Sequence, residues 1–252
     1  MIQVNKITKE ISIIIPLHNE EENIELLFLQ LKKVLENMNR SYEIIFVDDG
    51  STDNTYQKLC EIYKSNSYVN IIKLSINSGQ SASLTAGFDF ARGEVIITMD
   101  GDLQHDPLDL PRFLEGIGEG YEIVNGWKKQ REDNIITRRI PALIINSIIR
   151  LISGIKIHDS VSTYRAYRRE IIDSIKLYNG FHRFVPMLLK KRKVSICEIE
   201  IKCNERKYGK SHYGLGRIKR VIIDFCLLLV MQNKLKRDST PIYSISEIKF
   251  CD

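Results

Sequence analysis

Along the first half of the chain, short apolar runs rich in β-branched residues alternate with longer stretches whose leucines recur at helical spacing. Ile11–Ile15, Tyr42–Val47, Tyr68–Leu74, Glu94–Met99 and Glu122–Val124 predict strands. Glu20–Leu35, Asp53–Tyr63, Gln80–Ala91 and Pro107–Gly118 predict helices between them. Strands separated by single helices of this length predict βαβ units, and hence an α/β fold with a mostly parallel sheet covered on both faces. Such sheets bind ligands beyond the carboxyl ends of their strands. The polar clusters Pro16–Glu22, Asp48–Asp53 and Asp100–Gln104 follow three of the strands, so the topology gathers them along one edge.

Beyond Trp127 the pattern changes. Asn134–Ile152 reads as an apolar, amphipathic helix starting with Arg138-Arg139, and Lys193–Lys202 alternates like a strand. Leu215–Arg237 predicts a helix with an apolar centre, Val221 to Met231, broken by Asp224. At about 1.5 Å per residue that centre covers roughly half of a hydrocarbon core, so it is not a membrane span. It suits a helix lying in the interface, with Arg217, Lys219, Arg220, Lys234, Lys236 and Arg237 near the headgroups, or an ordinary core-packed helix. The segment Gln232–Asp252 reads as a polar tail. The expected organisation is one domain over residues 1–214, with halves meeting near 127, followed by an amphipathic helix and tail over 215–252.

Composition narrows the function classes. With 252 residues, 43% of them hydrophobic, the chain can bury one sizeable core. A net charge of +5 is too small to argue for a nucleic-acid partner. Lys and Arg crowd between Lys128 and Arg237, which suits an acidic substrate or an anionic membrane surface, although solvated helix faces give the same pattern. The five cysteines are scattered, with no CxxC pair, as expected of reduced thiols in a cytosolic setting. No signal peptide is evident, since Ile11–Ile15 is short and runs into Pro16. Neither GxGxxG nor GxxxxGK[ST] occurs, which removes the dinucleotide and P-loop fingerprints.

The candidate chemistry sits at the strand ends. Met99-Asp100-Gly101-Asp102-Leu103-Gln104 ends an apolar strand in two carboxylates one residue apart. In extended backbone residues i and i+2 project to the same side, so Asp100 and Asp102 can share one cation. Hard oxygen ligands suit Mg2+ or Mn2+, which would also hold a substrate diphosphate; an Asp-rich turn without a metal is the plainer alternative. In Asp48-Asp49-Gly50-Ser51-Thr52-Asp53 a tight turn follows a buried strand, and Asp53 is placed to cap the next helix. Capping does not account for Asp48 and Asp49, whose burial without partners would be costly. A carboxylate there can accept hydrogen bonds from a ribose or a base.

Ile14-Ile-Pro16-Leu-His18-Asn19-Glu20, Val47-Asp-Asp49-Gly-Ser and Asp100-Gly-Asp102-Leu-Gln104 resemble, in order, the signatures of family 2 glycosyltransferases of the GT-A fold, a Rossmann-like mixed sheet. Arg165-Ala-Tyr-Arg-Arg169, His182-Arg-Phe-Val-Pro186 and Arg206-Lys-Tyr-Gly-Lys-Ser-His-Tyr-Gly214 resemble the polyprenyl-phosphate transferases of the dolichol-phosphate mannose synthase type. The resemblance runs in unbroken order over residues 11 to 232. It implies that Pro16, His18, Glu20, Val47 and Asp49, with Gly101, hold a UDP- or GDP-linked sugar, and that Asp100, Asp102 and Gln104 bind Mg2+ or Mn2+. A bound cation neutralises the diphosphate leaving group as a Lewis acid. The implied acceptor is a polyprenyl phosphate, undecaprenyl or dolichyl, already largely ionised near neutrality because its second pKa is about 6. It needs cations rather than a base, and Lys128, Arg138, Arg206 and Lys210 stand where the family supplies them; Arg suits a bidentate phosphate clamp. Gly209 and Gly214 flank a loop expected to close over the nucleotide. The implied location is the inner face of a membrane, peripherally bound.

Two departures matter. His212 stands where the family has Lys, so charge there depends on pH. Many bacterial relatives continue into membrane spans after the position of Met231, whereas Gln232–Asp252 is polar; a membrane-embedded partner subunit is one expected substitute. Asp159 stands where hydroxyl-acceptor members place a base, which keeps open transfer to a glycan hydroxyl; a loop Asp beside Arg165 is the alternative reading. A non-catalytic nucleotide-binding partner is a third possibility, against which the metal triad speaks. The Gln-x-x-Arg-Trp signature of processive polymer synthases is absent.

Overall fold

A computed structural model describes residues 7–128, 157–159, 162–175, 181–189, 193–204 and 242–251, with single positions at 147 and 223. The first half forms as its pattern predicts: strand β1 (Lys9–Leu17), helix α1 (Ile24–Glu36), β2 (Tyr42–Asp48), α2 (Thr55–Lys64), β3 (Val69–Leu74), α3 (Gln80–Phe90), β4 (Gly93–Thr98), α4 (Leu110–Gly118) and β5 (Ile123–Trp127). They are followed by β6 (Arg165–Arg168), β7 (Ile196–Glu200) and β8 (Ile245–Lys249), with short helical turns at Arg169–Ile172 and 181–188. All eight strands join one sheet in the order β7-β5-β6-β4-β1-β2-β3-β8. β6 runs antiparallel to β4 and β5, β8 runs antiparallel to β3, and the remaining pairs are parallel.

β1 explains the layering. Its residues alternate between two cores, with Ile13 and Ile15 facing one and Ile14 the other, so the strand reads as an unbroken apolar run. One core lies under α1, α2 and α4 and contains Leu27, Leu31, Leu59 and Phe113. In α1 the buried positions Ile24, Leu27, Phe28, Leu31, Val34 and Leu35 follow the helical period that the sequence displays. The other core lies under α3, with Ile171, Ile172, Val185 and Leu189 packed beside it. Buried between the sheet and these residues, α3 shows no polar face: Ser81 through Phe88 are all buried.

The amino-end edge of the sheet is pinned by a buried carboxylate. Glu43 in β2 accepts hydrogen bonds from Ser12 Oγ (2.6 Å), Asn70 Nδ2 (2.8 Å), and Arg92 at its backbone N (2.6 Å) and Nε (3.0 Å). Arg92 also donates through Nη1 to the Cys251 carbonyl, and Cys251 N–H donates to Asn70 Oδ1, so the segment after β8 is tied into the network.

Two elements differ from expectation. β6 lies inside a motif of basic residues, where no apolar run announces a strand. β8 falls in the segment read as a polar tail; its Ile and charged residues pair with β3, and Ser75 N–H donates to the Ser244 carbonyl. The 214/215 boundary and the helices expected over 134–152 and 215–237 lie outside the described residues, apart from Ser147 and the exposed Ile223. Among the described residues no helix is long and apolar enough to cross a membrane.

Candidate active site

The chain leaves β1 for β2 and β3 on one side of the sheet and returns through β4 on the other, so the order reverses between β1 and β4. Loops at such a reversal diverge and leave a crevice. The carboxyl ends of β1, β2 and β4 deliver His18, Asp49 and Asp100 there.

The first two loops form one latched unit. Asn19, in the left-handed region at φ 55°, donates its amide to Ser51 Oγ and accepts from the Thr52 N–H at 2.8 Å through its side chain. Glu20 N–H donates to Thr55 Oγ1, and Glu21 N–H to Asp53 Oδ2. Asp53 also accepts the Thr55 N–H in the turn before α2, while Asn54, not Asp53, stands at the cap position of the helix. Because a carbonyl only accepts, the 2.9 Å contact between His18 Nδ1 and the Asp49 carbonyl places the His18 proton on Nδ1. Its Nε2 is then an acceptor, and Asn19 Nδ2 donates to it at 3.5 Å.

Asp48 and Asp49 have different partners. Asp48 is fully buried and accepts the Ser51 N–H through Oδ1. Asp49 accepts two backbone amides where the chain enters α3: Ser78 at 2.7 Å and Gly79 at 2.9 Å. Burial nevertheless raises its pKa above the ordinary value, against the lowering effect of those amides and of His18. Val47 is fully buried in the core between Pro16 and Ile72, so it offers the site main chain rather than side chain.

Gly50 allows the approach of these loops. Its φ is +63°, and a Cβ there would meet the backbone at Asn77 N and Ile76 C at 2.6 Å. Gly50→Ala is expected to lower stability by about 1–3 kcal/mol, measured by urea denaturation. An unchanged midpoint would show that the 76–77 loop yields.

The third loop carries the acid pair. Asp100 accepts from Gln80 Nε2 (2.7 Å) on one oxygen and from Thr163 Oγ1 (2.6 Å) on the other. Gln80 is the first residue of α3, whose amino end favours nearby negative charge. Asp102 is nearly buried and accepts its local Gln104 N–H at 3.1 Å. Leu103 between them is left-handed at φ 62°, and a Cβ on Gly101 would fall 2.2 Å from Leu17 Cδ2. A main-chain hydrogen bond from Asn204 N–H to the Gln104 carbonyl and a bridge between His105 and Cys203 back the turn. The His105 ring is wholly buried and held neutral: burial first, then Lys128, push its pKa well below the usual value.

This donor set fits a divalent cation: two carboxylates and an amide oxygen are hard ligands, and Asp100 keeps one lone pair per oxygen after its two hydrogen bonds. Among the described residues no group of three or more His, Cys, Asp and Glu is clustered for a metal, so the third ligand in this reading is the amide of Gln104.

The residues expected to hold the acceptor are described in part. Lys128 follows β5, half-buried. Asp159 is buried; its amide donates to Glu198 Oε1 at 3.1 Å and its carbonyl accepts from Asn125 Nδ2 at 2.8 Å. Asn125 also bonds Arg165 Nε, and Arg165 reaches the His182 carbonyl. Arg138, Arg206, Lys210 and His212, and the loop between Gly209 and Gly214, lie outside the described residues. Sequence reasoning did not single out Gln80, Thr163 or His105. For Gln80 and Thr163 the only signal is polarity where α3 and β6 begin, and for His105 its place directly after Gln104.

A mostly parallel sheet with its acidic turns collected at the switch point defines an α/β protein that takes its ligand at the carboxyl edge. The chain belongs to the glycosyl transferase family 2, whose profile matches residues 12–176. It is similar to a dodecaprenyl-phosphate galacturonate synthase of Rhizobium johnstonii, at 37% identity over 88% of this chain and 66% of that protein. It is also 33% identical to an undecaprenyl-phosphate 4-deoxy-4-formamido-L-arabinose transferase of Pseudomonas aeruginosa, over 85% of this chain and 63% of that protein. The chain thus spans somewhat less than two thirds of the length of these relatives. Its fold matches glucosyl-3-phosphoglycerate synthase of Mycobacterium tuberculosis in complex with Mg2+ and uridine diphosphate, with a TM-score of 0.68 and 17% identity over 97% of this chain and 91% of that one. The same enzyme, also solved with Mn2+, uridine diphosphate and phosphoglyceric acid, gives a TM-score of 0.67 at 18% identity over 92% of this chain and 81% of that one.

Proposed function

We propose that this chain transfers a sugar, with inversion, from a nucleotide-diphosphate sugar to a polyprenyl phosphate, using Mg2+ or Mn2+ and working peripherally at the inner face of a membrane. The observation that carries the reading is the Asp100/Asp102 turn at the switch point, braced by Gln80 and Thr163. The acceptor class rests on the names of the two bacterial relatives.

In this reading Pro16, His18, Glu20, Val47, Asp49 and Gly101 line the nucleoside side, and Asp100, Asp102 and Gln104 hold the cation. When bound, that cation neutralises the diphosphate as it departs. A phosphate oxygen of the lipid attacks the anomeric carbon from the face opposite the diphosphate; the C–O bond to the nucleotide breaks, and the nucleoside diphosphate leaves. The ionised phosphate has no proton to lose, so no base is required. Lys128, Arg138, Arg206 and Lys210, with His212, supply the grip that holds it in line.

The test is transfer of radiolabelled sugar from a panel of UDP- and GDP-sugars into organic-extractable lipid, with polyprenyl phosphate and Mn2+ or Mg2+. Labelling that requires both metal and Asp102 is the expected outcome. Nucleotide binding without labelled lipid, across the panel, would point instead to a hydroxyl acceptor or to a membrane subunit that the reaction needs. In the same assay Asp159→Asn should retain most of its activity; abolished turnover would instead assign Asp159 the base role of a hydroxyl-acceptor enzyme.

A further inference from the structure

The turn bearing the acid pair is braced by a histidine that the reaction above does not use. His105 accepts the Asp100 N–H through Nδ1 at 3.2 Å, so its neutral ring carries the proton on Nε2. That buried Nε2 has no hydrogen-bond partner among the described residues. The ring stacks on Tyr164, with centroids 4.9 Å apart and planes at 29°. Tyr164 in turn packs on Phe113 at 4.4 Å and donates its hydroxyl to the Asp106 carbonyl.

These contacts separate two roles for the ring. A side chain needed only to fill space against Tyr164 would be better supplied by phenylalanine, which brings no buried donor lacking a partner. What phenylalanine lacks is the acceptor at Nδ1. The turn has reason to need it: Leu103 is held in the left-handed region, which is unfavourable for a residue with a branched side chain, so something outside the turn must oppose relaxation. Gln80 and Thr163 fix the Asp100 carboxylate, while His105 fixes the peptide from which it projects.

We propose that His105 is a positioning residue for the cation site: by accepting the Asp100 amide, it holds the turn in the form in which Asp100, Asp102 and Gln104 converge on one ion. The proposal rests on the metal reading above. It concerns the hydrogen bond and the shape of the turn, and does not require His105 to change protonation.

The experiment is a titration of the full chain with Mn2+, following free Mn2+ by electron paramagnetic resonance, with thermal melts in parallel. His105→Phe keeps the stack and loses the acceptor; its Mn2+ dissociation constant should rise about ten- to hundredfold. His105→Asn, whose Oδ1 takes the place of Nδ1, should stay close to wild type. His105→Gln sets the same amide one carbon further out and should be as weak as His105→Phe. Wild-type affinity in His105→Phe overturns the proposal. If His105→Phe does not fold, the Asn and Gln variants decide, and equal affinities overturn the proposal. Wild-type Mn2+ binding that is indifferent to Asp102→Asn overturns the metal reading, and this proposal with it.

Discussion

Asp102→Asn is expected to reduce sugar transfer about a thousandfold or more while leaving the melting temperature nearly unchanged. The amide retains an oxygen to accept the Gln104 N–H, so the turn keeps its shape. What it removes is one negative charge from the proposed cation site. Charge neutralisation of a departing diphosphate is worth several kcal/mol, and each 1.4 kcal/mol is about a factor of ten in rate. Asp100→Asn is a poorer probe. Both Asp100 oxygens accept side-chain donors, so an NH2 in place of one would face Gln80 or Thr163 and disturb the geometry as well as the charge. If Asp102→Asn retains more than a tenth of the activity under saturating Mn2+, the acid pair is not the metal site.

The second large effect concerns stability. Glu43→Ala leaves the Arg92 guanidinium without its carboxylate and strips a partner from Ser12 and Asn70. Breaking a buried pair from one side costs about 3–5 kcal/mol. For a chain of this size that corresponds to a fall in melting temperature of roughly 6–20 °C, read by calorimetry. The double variant Glu43→Met with Arg92→Met should be less destabilised than Glu43→Ala alone, because no charge is then left unpaired. A double variant worse than the single one would show that the network matters through its hydrogen bonds to Ser12 and Asn70 rather than through charge.

The central strands and four helices were legible because each buries a continuous apolar run or stripe, and that pattern is local. β6 was not: its Arg165 is fully buried through Asn125 and the His182 carbonyl, contacts that only the assembled sheet supplies. β8 was missed for a related reason. An edge strand half open to solvent carries charge, so Glu247 and Lys249 made it read as a tail. At the site, the acids announced themselves through their position at strand ends. Their braces did not: Thr163 lies 63 residues from Asp100 in sequence, and no local pattern links them. The resemblance to the family reached the motifs for the same reason that the strands were readable, since each motif is a short contiguous run.

β8 also bears on when the sheet closes. β3 is made early in synthesis, yet its outer edge waits for residues such as Cys251, which bonds Asn70 across a separation of 181 positions. At ordinary synthesis rates of about 5–20 residues per second, that edge stays open for roughly ten seconds or more on the ribosome. An open strand edge is a template for pairing with other chains. Chains stalled before residue 242 are therefore expected to associate through β3, because the strand that covers its edge has not yet been made.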